Sequence, residues 1–438
     1  MQKVISGFLS KYFIHWLFLL HALWFIAGLL WGNMMYPDSV EYVYQAENMR
    51  YHKSFYAGPW FEPHQNYWYT LRPPLYSLMV LICRAIIQNL YFLLLIQSLL
   101  SILNFVILLK ILKKFVSEKT AVVVLFFGLL LYPFQFIYCN MVMSEILFQT
   151  FLIVAFYQLV CFFENGTTSN LFYYNLFLTL SVLVKAVMLY LWLPNLLFMI
   201  WLFFKSKPKS ALLFGLMMPG VIGLQCKINE YTTGYFHYNS IQTFNRLFHN
   251  TKELLIKNEG KAYADSTCKA IWEKGLAKGN LKEHYEFVNA QCKAILTDDV
   301  LDYGIFHLKG MFIFMLTPGR EDLVYFFRIK ESEKVNFMRS VNEKGIEGFT
   351  YWLSKINPVM LGVAIVLLIW NVVLTVATAL FFWKNRIDWR IKAWLFLLIA
   401  YIAFASSLVV GASRFRLPVY PFLLMATTLV IPGKKSDK

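Results

Sequence analysis

Acidic residues are scarce in this chain: 438 residues hold 25 Asp and Glu against 41 Lys and Arg, and charge of either sign makes up 15% of the total. A water-soluble domain of this size carries more charge than that, so an ordinary soluble protein is excluded. Closely spaced cysteine pairs are also missing. Cys83, Cys139, Cys161, Cys226, Cys268 and Cys292 stand far apart in sequence, which excludes the short-spaced metal-ligand motifs of zinc sites. Cys268 and Cys292 share one long hydrophilic segment, where a disulfide and two free thiols both remain open. The chain has no internal repeat and no low-complexity tract. What it has in abundance is apolar and aromatic residues, at 58% and 18%. Its main solvent is lipid.

The run from Phe13 to Gly32 carries no Asp, Glu, Lys or Arg and is long enough to cross roughly 30 Å of hydrocarbon. Asn33-Met34-Met35-Tyr36 follows directly, with no small-residue cleavage site, so the run reads as a retained signal anchor. The net charge of +16 raises nucleic acid as a partner, and the placement of the charges argues against it. Lys3 and Lys11, then Lys110, Lys113, Lys114 and Lys119, then Lys205, Lys207 and Lys209, then Lys384, Arg386, Arg390 and Lys392, then Lys434, Lys435 and Lys438 fall in short loops and tails. That is the positive-inside pattern of a topology signal. The long hydrophilic segment 227–355 holds 18 Lys or Arg against 16 Asp or Glu, a near balance unlike a basic nucleic-acid surface.

Apolar runs read against this charge rule predict about ten spans, near 13–34, 90–110, 120–137, 143–163, 171–187, 188–204, 210–226, 356–383, 393–411 and 417–432. The expected fold is an all-α polytopic membrane protein with both termini in the cytoplasm. It divides into an N-terminal transmembrane module 1–226 with a first outer loop at 35–89, a mainly helical extracytoplasmic segment 227–355, and C-terminal transmembrane helices 356–438. Pro73 to Ile87 is apolar but short and is interrupted by Arg84; counting it as a span would move Lys110, Lys113 and Lys114 outside, so it is placed as an outer-face juxtamembrane helix. The apolar stretch Gly310 to Leu316, ending at Pro318-Gly319, is too short to span and is expected to lie along the outer membrane surface.

Chemistry-bearing residues then gather on the outer side. Asp38, three residues before Glu41, follows the first span. The pair suits a capping box at a helix start, and Asp38 also suits a general base that takes a proton from an acceptor hydroxyl. Arg72 precedes Pro73-Pro74-Leu75-Tyr76, a proline helix start with an arginine at headgroup level. Ser144-Glu145 begins a span, with Glu145 either favoured by the helix dipole or facing a polar partner. Lys185 lies in an apolar stretch, where it either snorkels or meets an anionic headgroup. Arg414-Phe415-Arg416 sits on the outer side against the charge rule, and two arginines there suit a phosphate.

Four pieces in order carry a resemblance: Asp38-Ser39 with Glu41-Tyr42; Arg72-Pro73-Pro74-Leu75-Tyr76; Tyr132-Pro133 through Ser144-Glu145 and Leu147-Phe148; and Arg414-Phe415-Arg416-Leu417-Pro418 through Pro421. The chain resembles the GT-C superfamily of membrane glycosyltransferases, in the bacterial subgroup related to protein mannosyltransferases and the aminoarabinose transferase of lipid A. The resemblance implies an inverting transfer from a polyprenyl-phosphate sugar to a hydroxyl of a glycan, lipid or protein acceptor at the extracytoplasmic face of the bacterial inner membrane. Asp38 is then the catalytic base, with Glu41 beside it, and Arg72, Tyr76, Glu145, Lys185, Arg414 and Arg416 are the donor and lipid-phosphate residues. Ser39 follows Asp38 where some relatives have a second carboxylate, and Lys185-Ala186 stands where relatives often have Arg-Pro. No cofactor is implied, and a divalent metal stays open. Two other classes remain in view: a transporter or lipid flippase, which predicts two similar halves that this chain lacks, and a surface-polysaccharide polymerase or ligase using a lipid diphosphate donor.

Overall fold

A computed structural model describes residues 2–206, 209–298, 300–329, 337–384, 387–407 and 413–431. Lys207, Arg386, Lys434, Lys435 and Lys438, and parts of the predicted spans 393–411 and 417–432, lie outside the described residues, as do 299 and 330–336 of the long hydrophilic segment.

All described secondary structure is helical. The N-terminal half runs α1 (Gln2–Trp31), α2 (Ser39–Tyr51), α3 (Pro74–Ile86), α4 (Leu90–Leu112), α5 (Glu118–Leu130), α6 (Phe134–Cys139), α7 (Glu145–Asn165), α8 (Thr168–Val184), α9 (Trp192–Ser206), α10 (Ser210–Gly215) and α11 (Met217–Thr233). The long hydrophilic segment folds as α12 (Ile241–Asn245), a π-turn over Arg246–Thr251, α13 (Lys252–Glu259), α14 (Lys261–Leu276), α15 (Leu281–Asp298), α16 (Val300–Leu316), α17 (Arg320–Phe326) and α18 (Phe337–Lys355). The chain closes with α19 (Pro358–Lys384), α20 (Trp389–Ser406), α21 (Ser413–Arg416) and α22 (Tyr420–Val430).

Among the described residues seven helices are long and apolar enough to cross a membrane, and α16 with α17, bent by 57°, makes an eighth if taken as one broken span. The protein is a multi-pass membrane protein. The predicted spans at 120–137, 171–187 and 417–432 are realised in shorter pieces. The first stops at Leu130 before Tyr132-Pro133 and resumes as α6; the second is a helix of 17 residues; the third is α22, 11 residues long, entered through a turn containing Pro418. Proline explains two of these breaks, because it lacks the N–H that the ladder needs. Local caps set other boundaries. Asn89 accepts from the Tyr91 N–H at the start of α4, Ser117 accepts from the Thr120 N–H at α5, and α7 ends on Gly166 with φ of +66°.

The bundle centre is α7, whose apolar window is 67% buried inside the protein, against 17% for α1 and 22% for α19. Outward residues of α19 such as Ile365, Ile369 and Val373 instead meet lipid. With no hydrophobic drive between helices in a bilayer, polar pairs contribute specificity. One such row crosses the centre. His21 Nδ1 donates to the Leu17 carbonyl at 2.8 Å, and its Nε2 accepts from Ser101 Oγ at 2.9 Å. Gln135 donates to Ser101 and Gln149, and Gln149 Nε2 donates to the Leu417 carbonyl at 2.7 Å. The row therefore ties α1, α4, α6 and α7 to the chain just after Arg416.

The Gly310–Leu316 stretch is the end of α16, which packs against α19 and α20, and Asn371, midway along α19, donates to the carbonyls of Leu316 and Thr317 at 3.3 and 2.8 Å. Gly310 makes this approach possible, since a Cβ there would stand 2.5 Å from the Ser407 carbonyl oxygen. The two interspan segments also meet. Thr70 bonds to His237 and Ser240, and the Ser240 N–H donates to the Thr70 carbonyl at 3.0 Å.

Candidate active site

The chain leaving α1 is pinned before it reaches Asp38. The Asn33 N–H donates to the Phe326 carbonyl at 2.8 Å, the Val142 N–H to the Met34 carbonyl at 2.9 Å, and the Tyr36 N–H to Ser39 Oγ at 2.8 Å. The capping reading of Asp38 and Glu41 is corrected here. Asp38 already has helical φ and ψ, −71° and −17°, and its side chain makes no cap hydrogen bond. Ser39 ties the turn instead, so both carboxylates are free to turn away from their own helix. Asp38 Oδ1 lies 3.2 Å from Arg72 Nη2, Asp38 Oδ2 accepts from Arg414 Nη1 at 3.0 Å, and Glu41 accepts from Arg72 Nε.

Arg72 is held from behind. Its carbonyl accepts from Gln45 Nε2 at 3.1 Å, and its guanidinium lies over the Tyr42 ring, 5.3 Å from the centroid. Tyr42 OH shares a hydrogen bond with Ser144 Oγ at 3.2 Å, and its ring meets Tyr76 edge-on at 4.7 Å. Tyr76 is fully buried and donates to Gln97 Oε1 at 2.7 Å, while Gln97 donates to the carbonyls of Cys139 and Met141. From within the core it supports the Tyr42 ring.

Arg414 is stacked between Tyr36 and Phe415, at 5.1 and 4.6 Å from their centroids. Lys185 stands over the same Phe415 ring at 5.4 Å. At Lys185 the backbone of α8 becomes extended, φ −138° and ψ 125°, and its Nζ donates to Glu145 Oε1 at 2.7 Å. Glu145 is buried, and its Oε2 has no partner. The structure thus brings Asp38, Glu41, Arg72, Glu145, Lys185 and Arg414 into one cluster. Arg416 does not join it. Its guanidinium donates to the carbonyls of Phe314, Met315 and Thr317 at 3.0, 2.7 and 2.9 Å. These bonds tie it to the end of α16, and it is 1% exposed.

Burial alone would raise the Asp38 pKa, but the charges of Arg72, Arg414 and Lys185 more than reverse that and hold it at about 2. Glu41 moves the other way: its burial raises its pKa against the opposing pull of Arg72. The two neighbouring carboxyls are thus pushed in opposite directions, and the low value keeps Asp38 ionised at neutral pH. His249, on the π-turn, adds a group that the sequence did not mark. Burial lowers its pKa, Arg414 lowers it further and Asp38 opposes them, which puts its imidazole in the field of the cluster. Tyr36, Asp322 and Ser413 were likewise unmarked. Among the described residues no group of three His, Cys, Asp or Glu is placed to hold a metal ion.

The chain is similar to two crystal structures of ArnT from Cupriavidus metallidurans. The apo form matches over 96% of this chain and 78% of that one, at 11% identity and a TM-score of 0.39. The form bound to undecaprenyl phosphate matches over 94% and 77%, with the same identity and TM-score. No protein-family model and no curated protein matches the chain. The chemistry below accordingly rests on the residues of the cluster.

Proposed function

We propose that the protein is a GT-C type glycosyltransferase that moves a sugar from a polyprenyl-phosphate carrier to an acceptor hydroxyl. The observation that carries this reading is the half-buried Asp38 carboxylate, held between the guanidiniums of Arg72 and Arg414 and within the electrostatic reach of Lys185. It supplies an ionised base and the cations for a leaving phosphate at one spot, beside the ends of apolar helices where a lipid tail can stay in the bilayer. The ordered motifs around Asp38, Arg72, Glu145 and Arg414 support the same reading.

In the proposed reaction the acceptor oxygen attacks the anomeric carbon from the side opposite the phosphate. The new C–O bond forms as the bond to the phosphate oxygen breaks, the acceptor proton passes to Asp38, and the lipid phosphate leaves with the bonding pair. The anomeric configuration inverts. An arriving phosphate competes with Asp38 for Arg414. Losing that partner raises the basicity of Asp38 at the moment a base is needed, because an opposite charge at hydrogen-bond distance is what depresses a carboxyl pKa. Lys185 is the second cation for the phosphate. Arg72 keeps Asp38 and Glu41 oriented throughout. The charge pattern of the loops supports an extracytoplasmic site in a bacterial inner membrane with both termini inside.

The test is turnover of a radiolabelled polyprenyl-phosphate sugar by the purified full chain in lipid nanodiscs, with cell-surface glycans and glycoproteins of a deletion strain compared by mass spectrometry to name sugar and acceptor. A surface change in the deletion strain together with transfer from the monophosphate carrier is expected. Transfer from lipid diphosphate carriers alone would move the protein to the polymerase or ligase class.

A further inference from the structure

The short helix α17 touches the chain beside each partner of the Asp38–Arg414 contact. On one side it grips the strand of chain that leads to Asp38. The Phe326 carbonyl accepts from the Asn33 N–H, Tyr325 OH donates to the Met35 carbonyl at 2.9 Å, and the Tyr325 ring meets Tyr36 edge-on at 5.0 Å. On the other side the carboxylate of Asp322 accepts from Ser413 Oγ, one residue before Arg414. Gly319, at φ +68°, opens the turn into α17, and a Cβ there would stand 2.5 Å from Ser413. Asp322 is 5% exposed and Ser413 1%. A buried carboxylate so placed is expensive to keep unless it holds something in register.

We infer that Asp322 is a positioning residue for Arg414: by fixing Ser413 it seats the guanidinium between Tyr36 and Phe415 and aims it at Asp38. Asp322 acts through this seat and has no contact with substrate in the proposed reaction. The seat is read from geometry alone, and only its catalytic consequence rests on the glycosyltransferase reading. Asp322 also joins the bent α16–α17 pair to the site, so that the long hydrophilic segment contributes to the chemistry without contacting Asp38 through this residue.

Two measurements on the full chain in detergent keep the two readings apart. The first needs no substrate: labelling by an arginine-selective dicarbonyl, quantified by peptide mass spectrometry. Loss of a hydrogen bond to a charged group predicts that Arg414 is labelled about tenfold faster in Asp322→Ala and Ser413→Ala. Asp322→Asn, which retains an acceptor for Ser413, gives a smaller rise, and Arg416 stays protected throughout. Unchanged Arg414 labelling overturns the inference. So does a joint rise of Arg414 and Arg416, because that reports unfolding of the segment. The second measurement is sugar transfer. Asp322→Ala shifts the acid limb of kcat/KM to higher pH as Asp38 loses its partner, and adds no further loss in an Arg414→Ala background. A purely structural role lowers the amplitude, leaves the limb in place and remains additive. If the wild-type protein transfers no sugar while the labelling behaves as expected, the function fails and the seat stands; with transfer intact and labelling unchanged, the seat fails and the function stands.

Discussion

Asp38 and Arg414 are 376 positions apart in the chain and share a hydrogen bond of 3.0 Å. Arg72 takes the other Asp38 oxygen at 3.2 Å, so each oxygen of the carboxylate has its own guanidinium. In the proposed reaction a phosphate that draws Arg414 away leaves one Asp38 oxygen without its cation and more basic toward the acceptor proton.

Replacing Asp38 by Asn keeps the shape and removes the base. Transfer of a labelled sugar is expected to fall by roughly 10²–10⁴-fold, with binding of the lipid phosphate retained. An Asp38→Asn protein that turns over at the wild-type rate would sink the assigned mechanism.

The depressed Asp38 pKa also makes a stability prediction. Its folded value of about 2 lies below its ordinary 3.8. A carboxyl whose pKa falls on folding adds stability that is fully present above the ordinary value and is lost as pH drops through the folded one. Thermal midpoints of wild type and Asp38→Asn should therefore differ by a constant amount above pH about 4 and converge between about 4 and 2. Arg414→Ala moves that convergence to higher pH. A gap between the curves that keeps widening as pH falls below about 4 would contradict the sign.

Glu145 and Lys185 form a pair in which the carboxylate is 1% exposed and the ammonium 14%. Lys185→Met alone strands the buried carboxylate, at a cost of about 3–5 kcal/mol, seen as a lower thermal midpoint in detergent. Adding Glu145→Gln should restore most of the stability and none of the donor binding. Recovery of both would remove Lys185 from the phosphate site.

Arg416→Ala should behave as a fold mutation. It takes their Arg416 donor from the carbonyls of Phe314 and Met315, each worth about 1–3 kcal/mol when orphaned, while the Thr317 carbonyl keeps its bond from Asn371. Folded yield falls, while the donor KM of the surviving protein stays at the wild-type value. A raised KM at full stability would return Arg416 to the site.

Much of this was legible in sequence, for identifiable reasons. Long apolar runs report their own length, so α1, α4 and α19 were found directly. The break at Pro133 was visible as a proline but not as a boundary, since whether a proline kinks a span or ends it depends on what packs around it. Asp38, Arg72, Lys185 and Arg414 were marked because charge at membrane level is rare enough to stand out. Arg416 was marked for the same reason: two arginines one residue apart look alike in one dimension, and only the fold separates Arg414 on Asp38 from Arg416 on the carbonyls of α16. Asp322 was hidden in a first-turn run with Glu321, where a helix dipole explains any acid. Nothing local distinguishes the one that meets Ser413. His249 lay in a segment of balanced charge, and its nearness to Asp38 is a property of how that segment docks.

The bond from Gln149 to the Leu417 carbonyl joins the middle of the bundle to residues made 268 positions later. At synthesis rates of about 5–20 residues per second, roughly 13–54 s separate the two. Throughout that interval the nascent chain holds a buried amide with an open valence inside the bilayer, and Asp38 has no Arg414. On the proposed mechanism a half-made protein is therefore inactive, because Asp38 gains its second guanidinium only when the last helices are in place.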